Sequence, residues 1–169
     1  AKMNSLLDKR VIAKLYEASA NGVTIDLIVR GICTLRPGIA GVSDHITVRS
    51  IVGRFLEHHR LFYFRNGGNE KLFLSSADWM PRNLNERVEL MIPIEDKRHK
   101  SRIKGILDLY LVDTLKTHIM RADGSYYKAS NVEGPLSAQE ELMEAANTQE
   151  NKEQMTVIER FKPMFKMKE

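Results

Sequence analysis

Residues Val23–Val29, VTIDLIV, decide the fold. The stretch is β-branched and almost continuously apolar, as expected of a strand covered on both faces of a parallel sheet. Just before it, Leu7, Val11, Leu15 and Ala18 recur at three- and four-residue steps from Leu6 to Ala20, and Asn21-Gly22 supplies a stop. This spacing predicts a helix capped by Asn4 or Ser5. A helix followed by a buried strand implies an α/β layer fold. Beyond Arg30 comes a Gly- and Pro-punctuated loop, GICTLRPGIAG, and then a second strand from Ile46 to Ile51. Loops that follow buried strands are where such folds place ligands.

Further along, LFYF (Leu61–Phe64) and KLFLSS (Lys71–Ser76) flank Asn66-Gly67-Gly68-Asn69, and Asn-Gly between apolar runs predicts a β-hairpin. Arg87–Ile92 alternates like a further strand and stops at Pro93. An amphipathic helix is expected from Asp96 to Leu115, with Ile103, Ile106, Leu107, Tyr110 and Leu111 on its apolar face. Asp123-Gly124 marks a turn between two short strands. Ser137-Ala138-Gln139-Glu140 is a capping box that opens a short helix. The chain then turns polar and ends in a basic, Met-rich stretch, so we expect one domain over 1–147 and a tail over 148–169.

The 169 residues suit a single domain with a sizeable core, and 26 Lys+Arg against 22 Asp+Glu leave a mild basic excess that fits an anionic partner. A single cysteine, Cys33, cannot form an internal disulfide, which fits a reducing, cytoplasmic setting. No transmembrane segment, signal peptide or lipidation motif is visible. The opening residues AKMN resemble no natural start, and we expect a piece of a longer polypeptide. The five histidines form neither H-E-x-x-H nor a Cys/His cluster, and the common glycine-rich nucleotide cradles are missing.

Charge in the middle of the chain favours one residue type. Between Arg30 and Arg87 lie Arg36, Arg49, Arg54, Arg60, Arg65 and Arg82, with Lys71 the sole lysine. A guanidinium fork binds phosphate in a bidentate way, whereas ammonium is a point charge. Two readings stand on equal footing: repeated phosphate contacts, or pairing of these arginines with Glu57, Glu70, Asp78, Glu86 and Glu89.

Within this region the stretch RFLEHHR carries two adjacent histidines. If it is extended, His58, Arg60, Phe62 and Phe64 share one face while Glu57, His59, Leu61 and Tyr63 share the other. An anion bridging His58 and Arg60 would keep the imidazolium protonated, as a phosphate-binding general acid requires. His59 beside Glu57 reads as a hydrogen-bonded structural pair. On pattern alone a satisfied, half-buried His58 is slightly favoured over a catalytic one. The segment SSADWMPRN, from Ser75 to Asn83, offers hydroxyls and backbone N–H groups suited to an oxyanion, or else an ordinary turn with Trp79 in the core. Hairpin pairing would return it to the vicinity of Arg60 and His58.

The run RSIVGRFLEHHRLFYFRNGGNEKLFLSSADWMPRNLNERVEL, preceded by IDLIVRGICTLRPG and AKMNSL, closely resembles the C-terminal catalytic domain of bacterial polyphosphate kinases. The resemblance covers Ala1 to about Leu115. It implies a phospholipase D-like mixed β-sheet flanked by helices, within a multidomain homo-oligomeric enzyme. That enzyme reversibly moves the terminal phosphate of ATP onto inorganic polyphosphate through a phosphohistidine on a preceding domain. By the same resemblance His58 is catalytic, Arg30 and His58 contact ATP, and Arg60, Arg82 and Arg87 are further phosphate-binding candidates. Mg2+ would accompany ATP with ligands outside this chain. Partners would be ATP/ADP, polyphosphate and the remaining domains of the same enzyme, with no nucleic acid.

The sequence departs from the wider phospholipase D pattern H-x-K-x-x-x-x-D, since Arg60 replaces the lysine and Arg65 falls where the aspartate would. The departure suits a more highly charged substrate than a phosphodiester. Two competing readings remain at this point: a homodimeric phospholipase D-like nuclease or phosphodiesterase, and a non-catalytic anion-binding module.

Overall fold

A computed structural model of the chain describes residues 1–129 and 134–148. The expected tail therefore lies outside the described residues apart from Thr148. The decisive stretch forms β2 (Ile25–Val29), whose last three residues are buried, while the half-exposed Val23 belongs to the approach. It runs parallel to β1 (Lys2–Met3) on one side and to β3 (Ile46–Ile51) on the other. Antiparallel neighbours extend both edges. On one side come β4 (Arg60–Phe64), β5 (Lys71–Ser75) and β6 (Met91–Pro93); on the other, β7 (Thr117–Met120) and β8 (Tyr126–Lys128). The resulting eight-stranded mixed sheet has the order β6-β5-β4-β1-β2-β3-β7-β8.

Strand alternation divides the core into two layers. Met3, Leu27, Val29, Val48 and Phe62 point toward α1 (Lys9–Ala20), against Ile12, Val11 and Leu15. Ile28, Ile51, Leu61 and Leu72 point the other way, against Leu107 and Tyr110 of α3 (Lys97–Val112) and against Ala138 and Leu142. The mixed sheet flanked by helices expected from the sequence is the fold observed.

Three elements differ from their sequence expectations. Helix α1 starts at Lys9 with Asp8 as its cap, the carboxylate accepting from the N–H groups of Arg10 and Val11. Asn4 and Ser5 are unavailable for that role. Lys2–Met3 is drawn into the sheet and Leu6 bridges to Cys33 and Trp79, so the chain is committed to extended backbone until Asp8. Residues Arg87–Leu90 are not strand. Pro81, pre-set for a first helical turn, opens the short α2 (Pro81–Glu86), and β6 begins only at Met91. The helix expected over Asp96–Leu115 covers Lys97–Val112, with Asp96 accepting from the His99 N–H.

The hairpin, the turn at Asp123-Gly124 and the Ser137 cap are as expected. The hairpin loop is wider than a two-residue turn: Asn66–Gly68 forms a 3-10 turn in which Asn66 itself adopts a positive φ of 47°. Residues 138–148 are helical behind Ser137. No helix among the described residues is long and apolar enough to cross a membrane.

Candidate active site

The C-terminal ends of the parallel strands β1 and β2 deliver Asn4 and Arg30 to one edge of the sheet, and the antiparallel pairing of β4 brings Arg60 to the same edge. Across the hairpin Arg60 stands opposite Ser75, so the β5–α2 connection closes on this edge too. Backbone packing here is tight: the Gly31 N–H donates to the Asn4 carbonyl at 2.9 Å, and a Cβ on Gly31 would lie 2.8 Å from that oxygen.

His58 is exposed and Arg60 is buried beneath it. The Arg60 guanidinium forks onto Asp78, with Nε to Oδ1 at 3.2 Å and Nη2 to Oδ2 at 2.9 Å. Its Nη1 donates to the His58 carbonyl at 2.8 Å and meets His58 Nδ1 at 3.0 Å. Guanidinium has donors only, so Nδ1 must accept, and the neutral imidazole carries its proton on Nε2. Burial works to raise the Asp78 pKa, but hydrogen bonds from Arg60 and the Asn4 N–H outweigh it and hold the carboxylate below its usual value. Asp78 stays charged, Arg60 stays fixed, and His58 is oriented. The guanidinium is used within the protein in this arrangement, so the expected anion bridging Arg60 and His58 gives way to a relay from Asp78 through Arg60 to the ring.

On the opposite face of the same segment everything is internal. Glu57 is buried, pairs with Lys2 at 3.0 Å and accepts from Gln139 Nε2 at 2.7 Å. Its expected partner, His59, instead stacks on Tyr110 with ring centroids 5.7 Å apart, and its Nε2 is buried without a hydrogen-bond partner. Burial, reinforced by the Lys2 ammonium, pushes the His59 pKa down from 6.5 to about 4. Burial and the Glu57 charge raise that of Tyr110. The expected Glu57–His59 pair fails because the ammonium of β1 reaches the carboxylate from within the core. Gln139 also holds both the N–H and the carbonyl of Phe55 at 3.0 Å, clamping the loop that leads to His58. Its amide occupies the space a Cβ on Gly53 would need.

Arg30 joins the same network. Its Nε donates to Asn4 Oδ1 at 2.7 Å and to the Glu57 carbonyl at 2.9 Å, while the Asn4 amide donates to Asp78 at 3.1 Å. One asparagine thus ties Arg30 to the Asp78–Arg60–His58 relay. Among the described residues no protein acceptor meets the terminal nitrogens of Arg30. Arg82, on α2, and Arg87 are exposed, and Arg87 lies 3.4 Å from Glu89. The Ser75 and Ser76 hydroxyls are not free for an oxyanion. Ser75 donates to the Leu90 carbonyl at 3.2 Å, and Ser76 bonds Glu89 and accepts from the Leu90 N–H at 2.9 Å. Trp79 stacks on Phe62 with centroids 4.7 Å apart, the core role that the sequence allowed for it.

The carboxylates at this edge are committed: Glu57 to Lys2, Asp78 to Arg60 and Asn4, and Glu89 to Ser76 and Asn83. No group of three His, Cys, Asp or Glu among the described residues is arranged to hold a metal ion. The donor set does not fit a resident divalent cation. It fits an anion, approached by an Nε2 proton and by the free end of a guanidinium.

Residues 1–139 match the family model described as polyphosphate kinase C-terminal domain 2. The match extends past Leu115, where the resemblance seen in the sequence ended. The polyphosphate kinase of Pseudomonas aeruginosa is 56% identical over 146 residues, which is 85% of this chain and 21% of that protein. That of Bacillus anthracis is 57% identical over 131 residues, 78% of this chain and 19% of that protein. The crystal structure of polyphosphate kinase from Porphyromonas gingivalis superposes with a TM-score of 0.83 at 43% identity, covering 89% of this chain and 23% of that one. The chain spans about a fifth of the length of the curated relatives it matches.

Proposed function

This chain belongs to the polyphosphate kinase family, as C-terminal domain 2 of a phospholipase D-like α/β fold, and from that premise we propose that it supplies one half of a phosphoryl-transfer site. In this reading the parent enzyme reversibly moves the terminal phosphate of ATP onto inorganic polyphosphate. A histidine of a preceding domain carries the phosphoryl group between the two. The domain proper ends near residue 147, and 148–169 is an appended tail. The parent is a cytoplasmic homo-oligomer that handles ATP, ADP and polyphosphate. Mg2+ arrives with the nucleotide and takes its ligands outside this chain.

The observation that carries the reading is the relay fixing His58. A ring whose Nδ1 accepts from Arg60 has one proton, on Nε2, and cannot surrender it without becoming an imidazolate. His58 therefore acts by hydrogen-bond donation to the oxygen on which charge grows as the phosphoryl group leaves, rather than by full proton transfer. Arg30, held through Nε with its terminal nitrogens open, neutralises the phosphate chain of ATP, and Arg82 and Arg87 offer further charge to the polymer. Arg60 positions His58.

The test uses the full-length enzyme. His58→Ala should abolish synthesis of polyphosphate from ATP and the reverse reaction, and Arg30→Ala should raise KM for ATP. Full activity of His58→Ala would sink the assignment. Turnover of a model phosphodiester that depends on His58 would favour hydrolysis over transfer.

A further inference from the structure

Between β3 and β4 the chain runs as an irregular loop over 52–59, and His58 sits near its end. Its own side chains give it little anchorage. From Val52 to His58 only Glu57 is buried, whereas Leu56 is 75% exposed and Arg54 and Phe55 also face solvent. Apolar packing therefore cannot fix this loop, and hydrogen bonds have to. At its far end Arg60 and Arg30 take the carbonyls of His58 and Glu57, at 2.8 and 2.9 Å. The near end is held by one side chain from the helix behind Ser137. Gln139 Oε1 accepts from the Phe55 N–H and Nε2 donates to the Phe55 carbonyl, both at 3.0 Å, while Nε2 also donates to Glu57 Oε1 at 2.7 Å.

Gln139 is itself fixed. It is only 6% exposed, and the turn that carries it is tied to the α3–β7 connection by the buried Asp113. Oδ2 of that carboxylate accepts from the Ala138 N–H at 2.8 Å, and Oδ1 accepts from the Lys116 N–H at 2.9 Å and the Thr117 hydroxyl at 3.1 Å. A primary amide has the donors and the acceptor for all three of the Gln139 bonds at once; a carboxylate lacks the donors and an aliphatic chain lacks both. The loop is shaped to receive that amide. A Cβ on Gly53 would stand 2.4 Å from Gln139 Oε1 and 2.9 Å from its Cδ. Gly53 has no positive φ that would otherwise call for glycine, so its missing side chain serves to make room.

We propose that Gln139 is a positioning residue for His58: seated against Gly53, it fixes the backbone that leads into the imidazole and so sets where the Nε2 proton points. Gln139 in this role rests on the catalytic reading of His58 given above. Two supports then reach the ring from different elements. Asp78, through Arg60, orients it about Nδ1, and Asp113, through the helix start and Gln139, carries the loop. With Arg60 alone the near end of the loop would swing and take His58 with it. A misplacement of about 1 Å at a reacting group can cost on the order of 10²-fold in rate. That loss falls on kcat, the step in which charge develops, whereas Arg30 keeps its tie to Asn4 and its hold on ATP.

Steady-state kinetics of ATP-dependent polyphosphate synthesis by the full-length enzyme test it, with Gly53 and Gln139 as the two corners of a mutant cycle. Gly53→Ala drives the flexible end of Gln139 off the loop, and Gln139→Ala removes it. Each should lower kcat of the folded enzyme about tenfold, with KM for ATP within about twofold. In the double variant the space is vacant, so Gly53→Ala should add about twofold at most. Gln139→Met, which keeps the bulk without the hydrogen bonds, should behave as Gln139→Ala does. Hydrogen exchange at the Phe55 amide should speed up in every variant while β4 is unaffected. A glutamine that only stabilised the fold would lower Tm and leave kcat of the folded fraction and KM alone. That pattern, additive effects in the cycle, or a fully active Gln139→Met enzyme would overturn the proposal. An inactive His58→Ala enzyme beside fully active Gly53 and Gln139 variants would remove the positioning role alone, whereas an active His58→Ala enzyme would remove the catalytic reading and the positioning role together.

Discussion

The segment Glu57–Arg60 has two faces that divide labour. One presents His58 to solvent on a guanidinium that forks onto a buried carboxylate. The other buries Glu57 and His59 among Lys2, Tyr110 and Gln139. Both faces contain a buried ion pair, but the pairs do different things. Arg60–Asp78 leaves an N–H of the guanidinium to hold an imidazole, so its geometry is transmitted to an exposed ring. Lys2–Glu57 holds Gln139, which clamps the Phe55 backbone, so it steadies the loop before His58 without touching the ring. A buried ion pair is weak evidence of stabilisation in itself; what distinguishes these two is whether an exposed imidazole is bonded to the pair directly.

That contrast sets the order of the expected effects. The largest is on chemistry: His58→Ala in the full-length enzyme should cut phosphoryl transfer by roughly 10²–10³-fold, the loss of one donor to the developing charge, while leaving Tm unchanged, because the ring is exposed. On the inner face the largest effect is on folding. Glu57→Ala strands the Lys2 ammonium and should cost about 3–5 kcal/mol in denaturant titration, most of it recovered by Lys2→Met with Glu57→Leu.

Arg60→Lys should keep the charge but lose the fork. One ammonium cannot span Asp78 and still reach His58 Nδ1, so kcat should fall about tenfold, the equivalent of one charge-assisted hydrogen bond of ~1.5 kcal/mol, with KM for ATP little changed.

The smallest effect is a slope. His59 takes a proton at 6.5 when unfolded and only at about 4 when folded, so the stability it contributes is complete above pH 6.5 and is lost as pH falls from 6.5 toward 4. His59→Phe should flatten that part of a plot of denaturation midpoint against pH and leave transfer intact. An unaltered slope would place the acid sensitivity elsewhere.

Periodicity reached as far as local geometry does. VTIDLIV, the hairpin and the alternation that parts His58 from His59 could all be read because each depends on neighbours within a few residues. β1 could not, since two residues carry no period and its place is fixed by Ile28 and Leu61. Nor could the cap of α1, because Asn4 and Ser5 are satisfied by Asp78, more than seventy residues away. The supports of the site share this property. Asp78 entered the sequence reading only as one of several acids that an arginine might meet, Asn4 only as a helix cap, and Gln139 only as part of a capping box. Pro81 did carry a legible helix-start signal, and α2 was there to be found. The Ser75–Ser76 reading failed because the hydroxyls are consumed by Glu89 and Leu90, contacts that follow from where β6 begins.

The most direct measurement compares His58→Ala with His59→Phe in the full-length enzyme, assaying ATP-dependent polyphosphate synthesis alongside thermal unfolding. The account predicts an inactive, normally stable His58 variant and an active His59 variant whose change is confined to stability. An active His58→Ala enzyme, or a His59→Phe enzyme that folds normally and cannot transfer phosphate, would contradict it.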